Sequence, residues 1–141
     1  MTEYIVLDNM VWIQRLTGDE PGSSVIDTIK KKCDSIIVND EILDAYSRTL
    51  QMHYPFIPPY LSRLLLTELL VLQKAVSPDV LQEDLKDVHR KDGYLVKAAR
   101  PYHGVLITED NGDLLSKRHL IERNHKVKVL TPKEYKATKA E

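Results

Sequence analysis

Short runs of aliphatic and β-branched residues alternate along the chain with segments of helical periodicity. The runs at residues 4–7, 36–38 and 105–107 are continuous and apolar, which is typical of strands buried on both faces. Residues 127–130, apolar except for Lys128, predict a last strand. In the intervening segments, apolar residues recur every three or four positions, which predicts helices that bury one face. The predicted helices span residues 10–16, 24–32, Asp40–His53, 60–73, 92–100 and 114–124.

Local signals mark several of the predicted boundaries. Ser23 or Ser24 is expected to cap the second helix, and residues 131–134, Thr-Pro-Lys-Glu, form a capping box that starts a last helix. Residues 75–88 give no clear pattern apart from a short strand near Val76. Strands that alternate with helices predict a single α/β domain over residues 1–141, with a central, mostly parallel sheet and helices on both faces.

Composition and charge narrow the class of protein. With 141 residues, 43% hydrophobic and 29% charged, the chain can form one globular core. Its formal net charge of −1 gives no global attraction for nucleic acid, so any such site must be a local patch. The single cysteine, Cys33, excludes an intramolecular disulfide and a cysteine-ligated zinc site. Residues 1–8 lack a signal-peptide pattern and residues 64–75 are too short and polar to span a bilayer, so we expect a cytosolic protein without membrane contact.

Acidic residues gather at the ends of the predicted strands. Asp8 follows the first strand, Glu41 lies just after the second, and Asp110 and Asp113 follow the strand before the last, while Asp92 begins the helix that leads into that strand. Ligands of open α/β sheets bind beyond the carboxyl ends of the strands, so we expect these acids to converge. Clustered carboxylates repel one another unless a cation binds them, and oxygen ligands favour Mg²⁺ or Mn²⁺ over Zn²⁺. Such an ion suits phosphodiester hydrolysis.

Each acid taken alone also has a structural interpretation. Asp8 or Asp92 could cap a helix, and Asp110 could belong to the turn with Asn111 and Gly112. Their shared position at one sheet edge favours a site. A receiver domain that accepts phosphate also gathers acids there, but it needs paired acids at the first strand and a lysine ending a later strand, which this sequence lacks.

At these positions the sequence resembles the PIN-domain nucleases, which include the toxin ribonucleases of toxin–antitoxin pairs. Residues 4–9 are similar to the opening strand and first metal-binding Asp of that family, and residues 92–99 to its third acidic position. Residues 105–110 resemble its strand-Thr-x-Asp motif, and residues 129–134 its last strand and capped helix. The resemblance covers most of the chain.

The resemblance implies a PIN-like three-layer sandwich and an endoribonuclease that depends on Mg²⁺ or Mn²⁺. Asp8, Asp92 and Asp110 would bind the metal and carry catalysis, with Glu41 as a further catalytic acid and Asp113 as a further metal ligand. RNA would be the substrate, and an antitoxin protein could cover the site.

Two positions depart from the family pattern. Asn9 follows the first Asp, where the family usually has Ser or Thr, and Ala45 stands where it has its second acid, a Glu. Glu41 lies one helical turn before Ala45 on the same side and is the preferred substitute, while Asp44 points about 100° away around the helix. If neither serves, the chain is a catalytically weakened or inactive PIN-like module that binds RNA or protein.

Basic and apolar surface residues suggest partners. The apolar helix over residues 60–73, together with the helix Asp40–His53, could serve self-association as a homodimer, because its leucines exceed what one buried face needs. The alternative is that this helix packs between others in the core. Several basic residues could contact RNA phosphates. These candidates are Arg48, Lys91, Lys97 and Lys117.

Overall fold

A four-stranded parallel sheet lies at the centre of the computed structural model, which describes residues 3–61, 64, 93–109 and 112–140. The strands are β1 (Tyr4–Leu7), β2 (Ser35–Ile36), β3 (Val105–Ile107) and β4 (Lys128–Leu130). They pair in the order β2-β1-β3-β4, each parallel to its neighbour. The predicted α/β class with a parallel sheet is confirmed, and its assignment to the PIN type stays a prediction.

Helices connect the strands and follow the last one. Two 3-10 helices, Arg100–Tyr102 and Leu115–Lys117, extend the connections on either side of β3. The α-helices in the described part of the chain are α1 (Asn9–Thr17), α2 (Gly22–Lys31), α3 (Asp40–His53), α4 (Gly93–Ala99), α5 (Arg118–His125) and α6 (Pro132–Lys139).

Capping residues fix several helix ends where the sequence predicts them. Asn39 Oδ1 accepts the N–H of Ile42 at 2.8 Å and starts α3. Thr131 and Glu134 bond each other's backbone N–H groups at the start of α6, which confirms the capping box. Gly18 ends α1 in the left-handed region at φ 78°, where a side chain would be strained.

The predicted cap of α2 is wrong. The helix begins at Gly22 after Pro21, with no side-chain cap from Ser23 or Ser24. The N–H of Gly22 donates instead to Gln14 Oε1 at 2.9 Å. A Cβ at Gly22 would lie 2.4 Å from the Val11 carbonyl oxygen, so the close approach of α1 and α2 determines where this helix starts.

Two predicted helices are divided. The helix over residues 92–100 is α-helical only to Ala99 and then tightens into a 3-10 turn that contains Pro101, which lacks the N–H that an α-helix needs. The helix over residues 114–124 begins as a 3-10 turn and becomes α-helical at Arg118. Most of the helix predicted over residues 60–73, and the strand near Val76, lie outside the described residues.

The direction of the connections reverses in the middle of the sheet. From β1 the chain moves outward to β2, and from β3 it moves outward to β4 on the other side. Right-handed connections therefore place the helices after β1 and after β3 on opposite faces, compatible with three layers. β1 and β3 are buried between them, with Ile5, Leu7 and Ile107 fully inaccessible. Ligands of open α/β sheets bind at such a reversal, beyond the strands' carboxyl ends.

A buried polar cluster fixes α6 near the amino end of β1. The Asp34 carboxylate, 4% exposed, accepts the Tyr135 hydroxyl at 2.6 Å and the Glu3 N–H at 3.0 Å. Lys139 Nζ lies 3.0 Å from the same carboxylate and also pairs with the Glu3 side chain. Burial acts to raise the pKa of Asp34, but the hydrogen bonds from Tyr135, Glu3 and Lys139 outweigh it and lower that pKa overall.

Within these described ranges, no helix is both long and apolar enough to cross a lipid bilayer.

Candidate functional site

The carboxylate of Asp8 is fixed where the chain direction reverses, between the ends of β1 and β3. Its Oδ2 accepts the hydroxyl of fully buried Thr108 at 2.7 Å, and its Oδ1 accepts the N–H of Asn9 at 2.6 Å. The strand ladder continues to the same point, because the Asp8 N–H donates to the Ile107 carbonyl at 3.0 Å. Asp8 also caps α1, which was one interpretation of the sequence. Its carboxylate is at the same time held at the switch point, the place in the sheet where the direction of the chain connections reverses.

Tyr46 fastens α3 to the end of β1. Its buried hydroxyl donates to the Leu7 carbonyl at 2.6 Å, and its ring packs against that of Trp12 with centroids 5.8 Å apart. Burial raises the pKa of Tyr46 well above its ordinary value, and the neighbouring Tyr94 and Asp8 raise it further, while Trp12 acts in the opposite direction. Tyr46 therefore stays a neutral donor at physiological pH and holds α3 beside Asp8.

The side chain of Asn9 joins three segments of the chain. Its Oδ1 accepts the Tyr94 hydroxyl at 2.9 Å, and its Nδ2 donates to Thr49 Oγ1 at 3.2 Å. The Thr49 hydroxyl in turn donates to the Ala45 carbonyl at 2.9 Å. One amide thus connects α1 with α3 and α4, immediately after Asp8.

A cleft of about 300 Å³ opens beside this network. It combines a carboxylate, an amide, a guanidinium, a hydroxyl, an aromatic ring and a thioether, which suits a ligand with both charged and flat apolar parts. Its lining residues are Asp8, Asn9, Ala45, Arg48, Thr49, Met52 and Tyr94.

The structure brings two of the predicted site residues into this cleft, Asp8 and Arg48. Ala45, which the sequence resemblance places at the second acidic position, is 5% exposed and also lines it. Glu41 and Asp44 are exposed on α3 and are not among the lining residues. The helical turn between Glu41 and Ala45 therefore carries Glu41 away from the lining, although both were expected on the same side.

The other predicted residues divide into described and undescribed ones. Lys97 is half-buried on α4, Lys117 is exposed at the end of a 3-10 helix, and Asp113 is half-buried in the turn before it. None of the three lines the cleft. The predictions for Asp92, Asp110 and Lys91 lie outside the described residues.

Among the residues that line the cleft, Asp8 is the acidic one. Among residues 3–61, 64, 93–109 and 112–140, no three His, Cys, Asp or Glu side chains come close enough to hold a metal ion. Asp8 supplies a carboxylate with a fixed orientation. The two other acids predicted as metal ligands from the sequence, Asp92 and Asp110, directly precede Gly93 and directly follow Glu109 along the chain. Carboxylates of this kind suit Mg²⁺ or Mn²⁺.

Sequence reasoning did not find the residues that hold the site together. Asn9 was noted only as a departure from a pattern, and Tyr46, Thr49 and Tyr94 were not singled out. Their partners lie 39, 40 and 85 positions away along the chain. One local pattern in the sequence could have indicated such a residue: Thr49 lies one helical turn after Ala45, so its hydroxyl is on the same side of α3.

Comparison of the chain with protein-family models, with curated proteins and with solved structures gives no match.

Proposed function

We propose that this protein is a PIN-like, metal-dependent endoribonuclease that hydrolyses RNA phosphodiester bonds. The observation that carries the proposal is the Asp8 carboxylate, fixed by Thr108 and Asn9 at the switch point of a parallel sheet and open to a cleft that contains Arg48. An acid in this place has a helix-capping role, but capping does not require a buried threonine hydroxyl from another strand. The second contact supports a functional role.

The proposed metal is Mg²⁺ or Mn²⁺. Asp8, Asp92 and Asp110 would hold it, because hard cations prefer carboxylate oxygens. The two further acids expected from the sequence, Glu41 and Asp113, do not line the cleft that contains Asp8, so we do not assign them to the ion. When bound, the ion would supply a hydroxide nucleophile and stabilise the charge that develops on the phosphoryl group. Thr108 and Asn9 would keep the Asp8 carboxylate in one orientation, as outer-shell partners of metal ligands do.

The remaining lining residues suit an RNA strand. Arg48 is exposed and carries a guanidinium that can pair with a phosphate through two parallel hydrogen bonds. The ring of Tyr94 offers a surface on which an unstacked base can pack. With about 300 Å³, the cleft is at the small end of ligand pockets, which favours binding of roughly one nucleotide unit beside Asp8.

A Mn²⁺ titration coupled to an RNA cleavage assay tests this proposal. We expect the metal-free protein to bind Mn²⁺ in calorimetry and to cleave single-stranded RNA only when Mn²⁺ or Mg²⁺ is added. Addition of a chelator should stop cleavage, and a second metal-free preparation should recover it when Mn²⁺ is restored. A protein that neither binds Mn²⁺ nor cleaves RNA would not be this enzyme.

The alternative is a catalytically weakened or inactive PIN-like module that binds RNA or protein. The observation that favours it is Ala45, which puts a methyl group in the cleft where the family has a glutamate. RNA binding by the wild-type protein without Mn²⁺ affinity or cleavage is the result that would select this module.

Replacing Ala45 with Glu is expected to tighten Mn²⁺ binding by about tenfold, because metal affinity rises with the number of charged ligands. Residue 45 lines the same cleft as Asp8, so a glutamate there would bring a second carboxylate to this cleft. Calorimetry on Ala45→Glu and on Ala45→Gln, a control of equal size without charge, measures the effect. Equal Mn²⁺ affinity in both variants would show that residue 45 does not face the metal.

The proposed partners include a second copy of the chain and an antitoxin protein. Three large apolar side chains at and after the end of α3, Met52, Phe56 and Tyr60, are 80%, 81% and 75% exposed. Large exposed apolar residues in one region are typical of interaction surfaces, which supports self-association there. The antitoxin partner and the cytosolic location stay predictions from the sequence.

A further inference from the structure

We propose that a second cleft, lined by Lys133 and Lys136 of α6, binds backbone phosphates of an RNA strand that extends from the cleft at Asp8. The two spaces are called the lysine cleft and the Asp8 cleft below. The inference rests on the proposed function for the identity of the ligand, but it does not depend on a metal ion. The observation that carries it is a positively charged cleft at the same edge of the sheet as Asp8.

The ends of three neighbouring strands connect the two clefts. Asp8 follows β1 and lines the first cleft, while Glu109 and Thr131 follow β3 and β4 and line the second, which has a volume of about 190 Å³. Thr108 lies between them, because its hydroxyl donates to Asp8 and its N–H donates to the Leu130 carbonyl. Neighbouring strands are about 4.8 Å apart, so Asp8 and Thr131 are separated by roughly 10 Å along this edge.

The sign of its charge distinguishes the lysine cleft from two others. The Asp8 cleft contains one carboxylate and one guanidinium, so their charges cancel. A third cleft, of about 400 Å³, contains two carboxylates, from Asp19 and Glu20, and is negative. The lysine cleft contains two ammonium groups against the carboxylate of Glu109 and is positive. Because the whole chain has a net charge of −1, such a local excess of positive charge is what a phosphate backbone requires.

The two lysines differ in their surroundings. Lys136 is half-buried, and its Nζ donates to Ser24 Oγ at 3.3 Å. An ammonium has three N–H donors, so this bond leaves donors for a phosphate. The Ser24 hydroxyl itself bonds the Glu20 carboxylate, whose negative charge offsets part of the effect of Lys136. Lys133 is exposed on the first turn of α6, and it should therefore contribute more to phosphate binding than Lys136.

Removing a lysine should weaken RNA binding by an amount that depends on salt. On a single strand each phosphate contact contributes about −0.7 to the slope of log affinity against log salt, which is about fivefold in affinity between 1 M and 0.1 M salt. Lys133→Gln should therefore raise the Kd for RNA by about fivefold at 0.1 M salt and make the slope shallower by about 0.7. Lys136→Gln should have a smaller effect in the same direction. Glu109→Gln removes the opposing charge and should lower the Kd.

Fluorescence anisotropy with a labelled single-stranded RNA of about ten nucleotides, a length within the usual range of single-strand sites, tests these effects on the full chain. The buffer contains EDTA, so that metal-dependent cleavage does not consume the RNA. Lys30→Gln is the matched control for the lysines, because it removes the same charge from an exposed residue in the last turn of α2, which leads to the opposite edge of the sheet. Glu122→Gln is the corresponding control for Glu109→Gln.

The length of the RNA provides a second test. Crossing roughly 10 Å takes about three stacked nucleotides at about 3.4 Å each, so a mononucleotide in the Asp8 cleft does not reach the lysine cleft. Lys133→Gln should therefore leave the Kd of a mononucleotide unchanged while it raises that of the longer strand. An equal effect on both ligands would contradict a path that joins the two clefts.

The outcomes separate this inference from the proposed function. If Lys133→Gln and its combination with Lys136→Gln change the Kd and the salt slope no more than Lys30→Gln does, the lysine cleft does not bind RNA, while Mn²⁺-dependent cleavage by the wild type would still support the enzyme. A lysine effect in a protein without Mn²⁺ affinity or cleavage would support the cleft and reject the enzyme. Because a lost fold cannot tighten binding, the lower Kd of Glu109→Gln shows that charge, and not unfolding, causes the changes.

Discussion

Asp8→Asn is expected to lower Mn²⁺-dependent RNA cleavage by at least about 100-fold, which corresponds to about 2.7 kcal/mol of lost transition-state stabilisation. A bound metal ion contributes several kcal/mol of transition-state stabilisation to such a reaction, and asparagine cannot replace the negative charge that would hold the ion. The fold should change little. The asparagine oxygen can still accept a hydrogen bond at the start of α1, where Asn and Asp are equally good caps.

Cleavage rates with saturating Mn²⁺ and urea unfolding of the same preparation measure the two effects separately. Glu122→Gln, which removes an exposed carboxylate from α5, is the control and should cleave as the wild type does. A wild-type rate in Asp8→Asn would contradict the assignment of this carboxylate to the metal. A large loss of stability would instead mean that the buried Thr108 hydroxyl needs the second carboxylate oxygen of Asp8, so that the carboxylate has mainly a structural role.

Asp34→Ala is expected to destabilise the fold by about 3–5 kcal/mol at neutral pH, the usual cost of breaking a buried ion pair by removing one partner. The carboxylate is almost fully buried and accepts from Tyr135, Glu3 and Lys139 together. Its loss leaves the Tyr135 hydroxyl buried without this acceptor. Urea unfolding measures the change. The control is Asp27→Ala, whose carboxylate pairs with Arg15 on the surface and should contribute about 1 kcal/mol or less.

The contribution of Asp34 should depend on pH. Its pKa is lower in the folded protein than in the unfolded chain, so the stabilisation is present above the unfolded value of about 3.9 and is lost as the pH falls through the folded value. The pKa of Lys139 is raised: burial lowers it, but the bonds to Glu3 and Asp34 outweigh that effect. Its stabilisation is present below about pH 10.4 and is lost as the pH rises further.

The difference between wild type and Asp34→Ala should therefore be largest between about pH 5 and 9 and should shrink on either side. Unfolding curves at a series of pH values test this. A difference that stays constant down to about pH 2 would mean that packing, and not the charge of Asp34, stabilises this region.

Much of the fold could be predicted because its signals are local. The apolar run at residues 4–7 predicts β1, and the periodicity of Asp40–His53 predicts α3, both with the observed bounds. The two patterns differ because a strand buried on both faces is continuously apolar, whereas a helix buried on one face is apolar at every third or fourth position. Thr131 and Glu134 likewise mark the start of α6, because the two residues of a capping box lie only three positions apart along the chain. The start of α2 could not be read from capping residues, because contact between two helices at Gly22 sets it.

The candidate site was predictable only in part. Asp8 could be placed, because a polar residue directly after a buried strand must lie at the sheet edge. Its neighbours could not be assigned, because Thr108 bonds Asp8 from 100 positions away and Tyr94 bonds the adjacent Asn9 from 85 positions away. Likewise, the bonds of Tyr135 and Lys139 to Asp34 connect the last helix to a residue just before β2, which no local pattern indicates.

The outer strands of the sheet limit how another polypeptide can attach to this protein. β2 has two residues and β4 has three, one of them the exposed Lys128. Such short outer strands, one of them with a charged residue, offer too few free backbone groups for a foreign strand to pair with, which protects against aggregation by strand addition. An inhibitor that blocks the cleft would accordingly have to bind through side chains of the helices and loops around it, as an inserted helix or an extended arm.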